Sequence, residues 1–233
     1  MHLRIKLVFA AALALVLLPA RGAFAATQDD LKSVLDRLNA AAANFHTVSA
    51  DVEFDTIETD PVPDTDVQKG VVYYDRRNGA VQMGVHMSEH NRKPSGKAYT
   101  YIGGVFKLFE PGIDQVTTYA KAAKYESYIN LGFGASGRDL QAKWDIKDLG
   151  PETMGGVKTE KLELVAKDQD VRKNVSKVTI WLDPDRAVSL KQVFTLSSTS
   201  NYVATYSNFK FNQPVPADAF TFKTDKQTVY HSQ

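Results

Sequence analysis

The sequence predicts a mainly β protein of α+β class, an antiparallel sandwich or half-open barrel covered by a long N-terminal helix and a short helical insertion. Three observations carry this. Leu31, Val34, Leu35, Leu38, Ala42 and Phe45 recur at the 3.6-residue spacing of a helix with one apolar stripe. Residues 97–119 hold three β-favouring runs punctuated by Gly103-Gly104 and Pro111-Gly112, as in a meander. From Trp144 onward, short alternating segments follow one another with turn residues between them.

Taken in order, the chain opens with Arg4 and Lys6, an apolar run over 7–18, and Ala23-Phe24-Ala25, the small-x-small pattern of a cleavage site. Residues 1–25 therefore read as a signal peptide removed on export, the run being too short for a comfortable membrane span. The mature chain, 26–233, reads as a single domain. Without Arg4, Lys6 and Arg21 the 28 basic residues fall to 25 against 27 acidic ones, a net charge of −2. With no basic patch to concentrate positive potential, the chain is not a nucleic-acid binder. It has no cysteine, hence no disulfide, no thiol nucleophile and no lipid-bearing N-terminal cysteine.

Thr27 is placed to cap the first helix, with Asp29 and Asp30 favourably near the positive end of its dipole. At Val48 the period changes to two: Val48, Ala50, Val52 and Phe54 alternate with Ser49, Asp51, Glu53 and Asp55, a strand with one wet face. An acidic hairpin connection is expected over 55–66. Strands follow at 70–75 and 80–87, joined by Asn78-Gly79, a strong turn signal. After the meander, 121–131 reads as a helix-like cover with Ala122, Tyr125, Tyr128 and Ile129 on one side. Glycine-rich 133–137 is expected to be flexible, and Ser136 to cap a second short helix over 139–142. Strands are then expected at 144–149, 158–166, 175–183, 188–197, 202–211 and 220–223.

The sharpest catalytic string is His86-Met87-Ser88-Glu89-His90, which matches H-x-x-E-H. Zinc chemistry needs both imidazoles on one helical face and a third ligand beyond. Here the string ends a strand and runs into Asn91-Arg92-Lys93-Pro94, so it reads as a surface turn. No phosphate-binding loop, nucleophile elbow or carboxylate pair is present. The sequence points away from an enzyme and calls for no cofactor or metal. What it offers instead is surplus aromatic surface on the early strands and their proposed cover, either a tyrosine-rich core or the lining of a cavity for an elongated apolar ligand.

The order of motifs resembles the LolA family, periplasmic carriers of outer-membrane lipoproteins. The resemblance runs from the amphipathic helix over 30–45 into Val48-Ser49-Ala50-Asp51-Val52-Glu53-Phe54, then through Gly70-Val71-Val72-Tyr73-Tyr74-Asp75-Arg76. Gly103-Gly104-Val105-Phe106-Lys107-Leu108-Phe109-Glu110-Pro111 with Asp114-Gln115-Val116 is similar to the family's central block. In it Gly103 replaces an aspartate and Leu108 a tryptophan. Val178-Thr179-Ile180-Trp181-Leu182-Asp183, Tyr206-Ser207-Asn208-Phe209-Lys210-Phe211-Asn212 and Pro216-Ala217-Asp218-Ala219-Phe220-Thr221-Phe222 complete it.

The resemblance implies an incomplete antiparallel β-barrel whose helices form a lid over a hydrophobic cavity for lipoprotein acyl chains. On this reading Leu31, Leu35, Leu38, Tyr73, Phe106, Leu108, Tyr125, Tyr128 and Ile129 line the cavity. The family's lid-locking arginine, which hydrogen-bonds lid backbone, matches Arg76, and Arg77 stands where the family commonly has proline. A guanidinium suits that task because its fixed fork of donors can satisfy several carbonyls at once. The implied setting is a monomer in the periplasm, loaded by an inner-membrane ABC transporter and unloaded to an outer-membrane acceptor. The alternative within the same fold is a periplasmic lipid-binding or envelope-stress sensor domain.

Overall fold

A computed structural model describes residues 28–77 and 80–233. The expected signal peptide, the expected Thr27 cap and the expected Asn78-Gly79 turn lie outside the described residues. Helix α1 (Gln28–Ala43) leads into β1 (Thr47–Glu58), β2 (Asp64–Arg77) and β3 (Ala80–His90). A two-residue strand β4 (Lys93–Pro94) pairs back on β3. The meander β5 (Ala98–Ile102), β6 (Val105–Glu110) and β7 (Gln115–Tyr119) forms as expected, with positive φ at both Gly103 and Gly104 in its first turn. A 3₁₀ turn (Ala122–Tyr125), α2 (Glu126–Ile129) and α3 (Gly137–Lys143) make up the helical insertion. Strands β8 (Trp144–Met154) and β9 (Val157–Ala166), the short α4 (Gln169–Arg172), then β10 (Lys177–Asp183), β11 (Val188–Thr195), β12 (Ser200–Phe211) and β13 (Val229–Ser232) complete the chain.

The strands form one sheet in the order β13-β7-β6-β5-β3-β2-β1-β12-β11-β10-β9-β8, with β4 off that path. Among the described residues every strand pairing is antiparallel except β13 with β7. The sheet does not close on itself: β8 and β13 are its two ends. It is the incomplete antiparallel barrel that the resemblance implied. Its centre is a long-range union, β1 lying between β2 and β12 so that Val48 faces Tyr74 on one side and Phe211 on the other.

The concave face is filled in two halves. In one, Val34, Leu35 and Leu38 of α1 pack with Leu140 of α3 onto Leu162, Leu164, Val178, Ile180 and Leu182. The stripe read from the sequence therefore buries itself against β9 and β10, where each well-buried leucine side chain is worth about 1.5–3 kcal/mol. In the other half, Phe45, Val48, Ala50, Val52, Val72, Tyr74, Met83 and Tyr101 gather around Phe133. Ser136 caps α3 in a reciprocal box with Asp139, as its position predicts.

Four local expectations need correction. Strands β1 and β2 run further than the alternation suggests, to Glu58 and from Asp64, leaving only 59–63 as the hairpin connection. Cross-strand backbone bonds persist wherever partners continue, whatever the side chains. Residues 168–173, read as a loop, contain α4, capped by the Asp168 carboxylate on the N–H groups of Asp170 and Val171. Residues 220–223 are not a strand: this stretch crosses the convex face, where Phe222 stacks on Phe109 at 5.3 Å. The last strand forms later, at Val229–Ser232, beside β7.

The expected flexibility of 133–137 is also not found. Phe133 is completely buried and bridges to Val188, and the Gly134 N–H donates to the Ala187 carbonyl at 2.8 Å. Gly134 has φ +71°, and a β-carbon there would lie 2.5 Å from the Phe45 ring. The glycines in this stretch serve close packing rather than freedom to move.

Candidate functional site

The insertion over 122–134 lies across the concave face and has little stability of its own. Neither the 3₁₀ turn nor α2 has a side-chain cap, and each is four residues long. Elements this short are held by tertiary contacts. The Tyr74 hydroxyl, rising from β2, donates to the Ile129 carbonyl at 2.9 Å. The Tyr101 hydroxyl of β5 donates to the Glu126 carboxylate at 3.0 Å, and the Gln192 amide of β11 donates to the Leu131 carbonyl at 2.6 Å. Tyr206 in turn bonds Gln192 at 3.3 Å. Burial pushes the Tyr74 phenol well above its ordinary range, and burial followed by the Glu126 carboxylate does the same to Tyr101. Both remain protonated donors at any physiological pH.

Two apolar pockets flank this lid. One, of about 470 Å³, lies between β6–β7 and the lid and is lined by Phe106, Leu108, Tyr119, Ala122, Tyr125 and Ile129, with Lys121, Lys124 and Gln233 at its polar margin. The other, of about 220 Å³, is walled by Phe54, Tyr125, Tyr128, Val171, Val175, Phe194 and Tyr202. Tyr125 lines both, so the lid stands as the partition between them. A third cleft of about 680 Å³, with charged and apolar side chains in its wall, opens where the lid meets α3 and α4 and includes Arg76, Lys124, Glu126, Asn130 and Lys143 with Leu140 and Trp144. The larger apolar pocket and the third cleft each fall in the range of small-molecule sites.

The sequence-predicted residues divide accordingly. Phe106, Leu108, Tyr125, Tyr128 and Ile129 come together at the two apolar pockets. Leu31, Leu35 and Leu38 do not reach them: they belong to the packed half beneath α1. Tyr73 is on the opposite, convex face. It pairs with Gly84, against which Ala219 of the C-terminal stretch is packed, and its ring meets His86 edge-on at 5.9 Å. Strand alternation sends Tyr74 inward and Tyr73 outward.

Arg76 stands beside the lid but does not bond it. Its Nε is buried with no acceptor, while the bonds to lid backbone come from Tyr74 and Gln192. The bonds expected of Arg76 are thus made to the insertion by other side chains. The reason is reach: Tyr74 is two residues earlier on the same face of β2, directly beneath Ile129.

The H-x-x-E-H string over 86–90 is a strand end, not a turn. A register shift opposite Lys69 and Gly70 turns the two imidazoles to opposite faces. His86 meets Tyr73 on the convex side, and His90 bonds the Asp66 carboxylate. No group of three potential ligands among the described residues could hold a metal ion.

Reading the sequence alone misses Tyr74, Tyr101, Gln192 and Phe133. Parity carries no signal for the first, because Tyr73 follows Val71 as Tyr74 follows Val72, and both faces hold aromatics.

No family model matches the sequence, and no curated protein matches it in sequence. Solved structures do resemble it. An uncharacterised conserved protein from Thermus thermophilus aligns at 11% identity over 87% of this chain and 98% of the other, TM-score 0.53. MucB aligns at 12% identity over 86% of this chain, TM-score 0.52, and this chain spans 66% of the MucB chain. A LolA superfamily protein from Nitrosomonas europaea aligns at 16% identity over 82% of this chain and 97% of the other, TM-score 0.41. At these identities, the first two show a shared fold.

Proposed function

We propose that the chain is a non-enzymatic periplasmic carrier that takes the acyl chains of lipoproteins into its lid-covered apolar pockets and moves them from the inner to the outer membrane. The observation that carries this reading is the apolar pocket lined by Phe106, Leu108, Tyr125 and Ile129 beside a lid made of marginal helices. Loading by an inner-membrane ABC transporter and delivery to an outer-membrane acceptor follow from the family resemblance.

The energetics favour a lid of this kind. Burying an acyl chain is worth about 0.8 kcal/mol per methylene, on the order of 10 kcal/mol for a chain of roughly sixteen carbons. A carrier that kept all of that free energy would not release its cargo, so the closed, empty state must offset much of it. Here the bonds from Tyr74, Tyr101 and Gln192 and the contacts of Tyr125 across both pockets supply the opposing term. Loading displaces the lid and breaks them. Unloading restores them.

The test is to add purified protein, from residue 26 onward, to inner membranes loaded with a triacylated lipoprotein and ATP. Soluble lipoprotein complex that depends on this protein supports the carrier. Phospholipid found in the protein by native mass spectrometry, with no lipoprotein release, favours the second reading, a lipid-binding or sensor domain of the same fold. An empty protein in both assays overturns both.

A further inference from the structure

The cleft between the lid, α3 and α4 differs from the two apolar pockets in the charged side chains along its wall. Its chemistry is unbalanced. The Arg76 guanidinium carries a permanent charge, yet its Nε is shut off from solvent without an acceptor. Burying a charged donor unpaired is costly, and such groups are uncommon in folded proteins unless a partner is missing.

The carboxylates lining the cleft do not supply that partner. Glu126 accepts from Tyr101 and Asn130, Asp139 from Ser136, and Asp168 from the first N–H groups of α4. Lys124 and Lys143 line the same cleft, and among the described residues neither is in an ion pair with a carboxylate. Among the described residues no hydrogen bond or ion pair takes the part-exposed Arg76 side chain, so an occupant of the cleft that accepts from its outer N–H groups would supply the missing partner. Phosphate does this, its oxygens pairing with guanidinium N–H groups in charge-assisted bonds.

Lys124 lines both this cleft and the larger apolar pocket, so the two adjoin across the lid. We propose that the cleft is a phosphate site, with Arg76 as its main contact and Lys124 and Lys143 as flanking charges, receiving the headgroup of an amphiphile whose chain occupies the apolar pocket. The headgroup form of this inference rests on the carrier reading; the phosphate site itself does not.

The test uses 1-myristoyl lysophosphatidic acid and 1-myristoylglycerol, two amphiphiles that differ by the phosphate, titrated into the full mature chain below their micellar concentrations. Inorganic phosphate is titrated separately. The phosphorylated amphiphile should bind about tenfold tighter, the worth of one charge-assisted hydrogen bond. Arg76→Gln should bring the ratio of the two affinities to about one, and Arg76→Lys should keep part of it. Leu108→Gln should weaken both amphiphiles and leave the ratio. Should Arg76→Gln fail to fold, the wild-type comparison and the Arg76→Lys ratio still decide.

Equal binding of both amphiphiles by the wild type, with no binding of inorganic phosphate, overturns the phosphate site and leaves the carrier reading standing. Binding of inorganic phosphate that Arg76→Gln abolishes, with neither amphiphile bound, supports the site and identifies free phosphate as its occupant, overturning the headgroup form and leaving the carrier reading to the lipoprotein-release assay. Binding of none of the three overturns the phosphate site.

Discussion

Tyr74 and Phe133 lie ring on ring, 4.1 Å between centroids and 12° from parallel. The Tyr206 ring meets Phe133 edge-on at 4.8 Å. The stack joins β2 to the far end of the insertion, and the Tyr74 hydroxyl bonds the Ile129 carbonyl from the same ring. One side chain therefore holds the lid by both packing and polarity.

These two contributions can be separated. Tyr74→Phe keeps the stack and removes the hydroxyl, leaving the Ile129 carbonyl without its donor. It should cost about 1 kcal/mol in urea unfolding and speed amide exchange across 126–131 by about fivefold. Exchange that rises equally over the whole sheet would mean that the bond is not specific to the lid.

Phe133→Ala should be far more severe. The side chain is completely buried at the meeting of Tyr74, Tyr206 and Val188, and its loss should cost about 3–5 kcal/mol. The midpoint of chemical denaturation reads this directly.

At Gly134, substitution by alanine forces a side chain into left-handed backbone and against the Phe45 ring. The expected destabilisation is roughly 1–3 kcal/mol by the same measurement. An unchanged midpoint would restore the idea that this stretch is a loose hinge.

Arg37 of α1 holds Asp185 in a two-pronged bond, at 2.8 and 2.7 Å. Bonding to Arg37 holds the Asp185 carboxyl below its ordinary range. A depressed carboxyl contributes stability that is complete above the unfolded value, about 3.9, and is lost as pH falls through the lower folded value. Because the pair is exposed, that contribution is about 0.2–1 kcal/mol. The stability difference between wild type and Arg37→Gln should be present near neutral pH and vanish in acid. A difference that persists in acid would assign it to packing instead.

Much of this architecture was legible in the residues. The stripe from Leu31 to Phe45, the parity of Val48, Ala50 and Val52, the Gly103-Gly104 turn and the Ser136 cap each follow from a period or a turn chemistry that acts over a few residues. Tyr73 and the α1 leucines were misplaced for a different reason. A leucine on an apolar stripe looks the same whether it faces packed Leu162 and Ile180 or an open pocket, and that depends on strands more than a hundred residues away. Arg76 lies beside the lid without bonding it, because hydrogen-bond reach is fixed by the register of β2 under the lid. Residues 64–65 and Val229–Ser232 lack strong alternation, and they are strands because a neighbour offers them an unpaired edge.

The central position of β1 has a consequence for how the molecule is made. Its partner on one side, β2, is delivered at once, but its other partner, β12, comes almost last, with Val48 awaiting Phe211. A chain emerging from a ribosome or translocation pore cannot assemble the middle of its own sheet until nearly all of it has emerged. Contacts of such sequence separation make folding slow. Until then, Val48, Ala50 and Val52 sit on a strand with one open edge, the condition in which nascent chains aggregate or are held by chaperones.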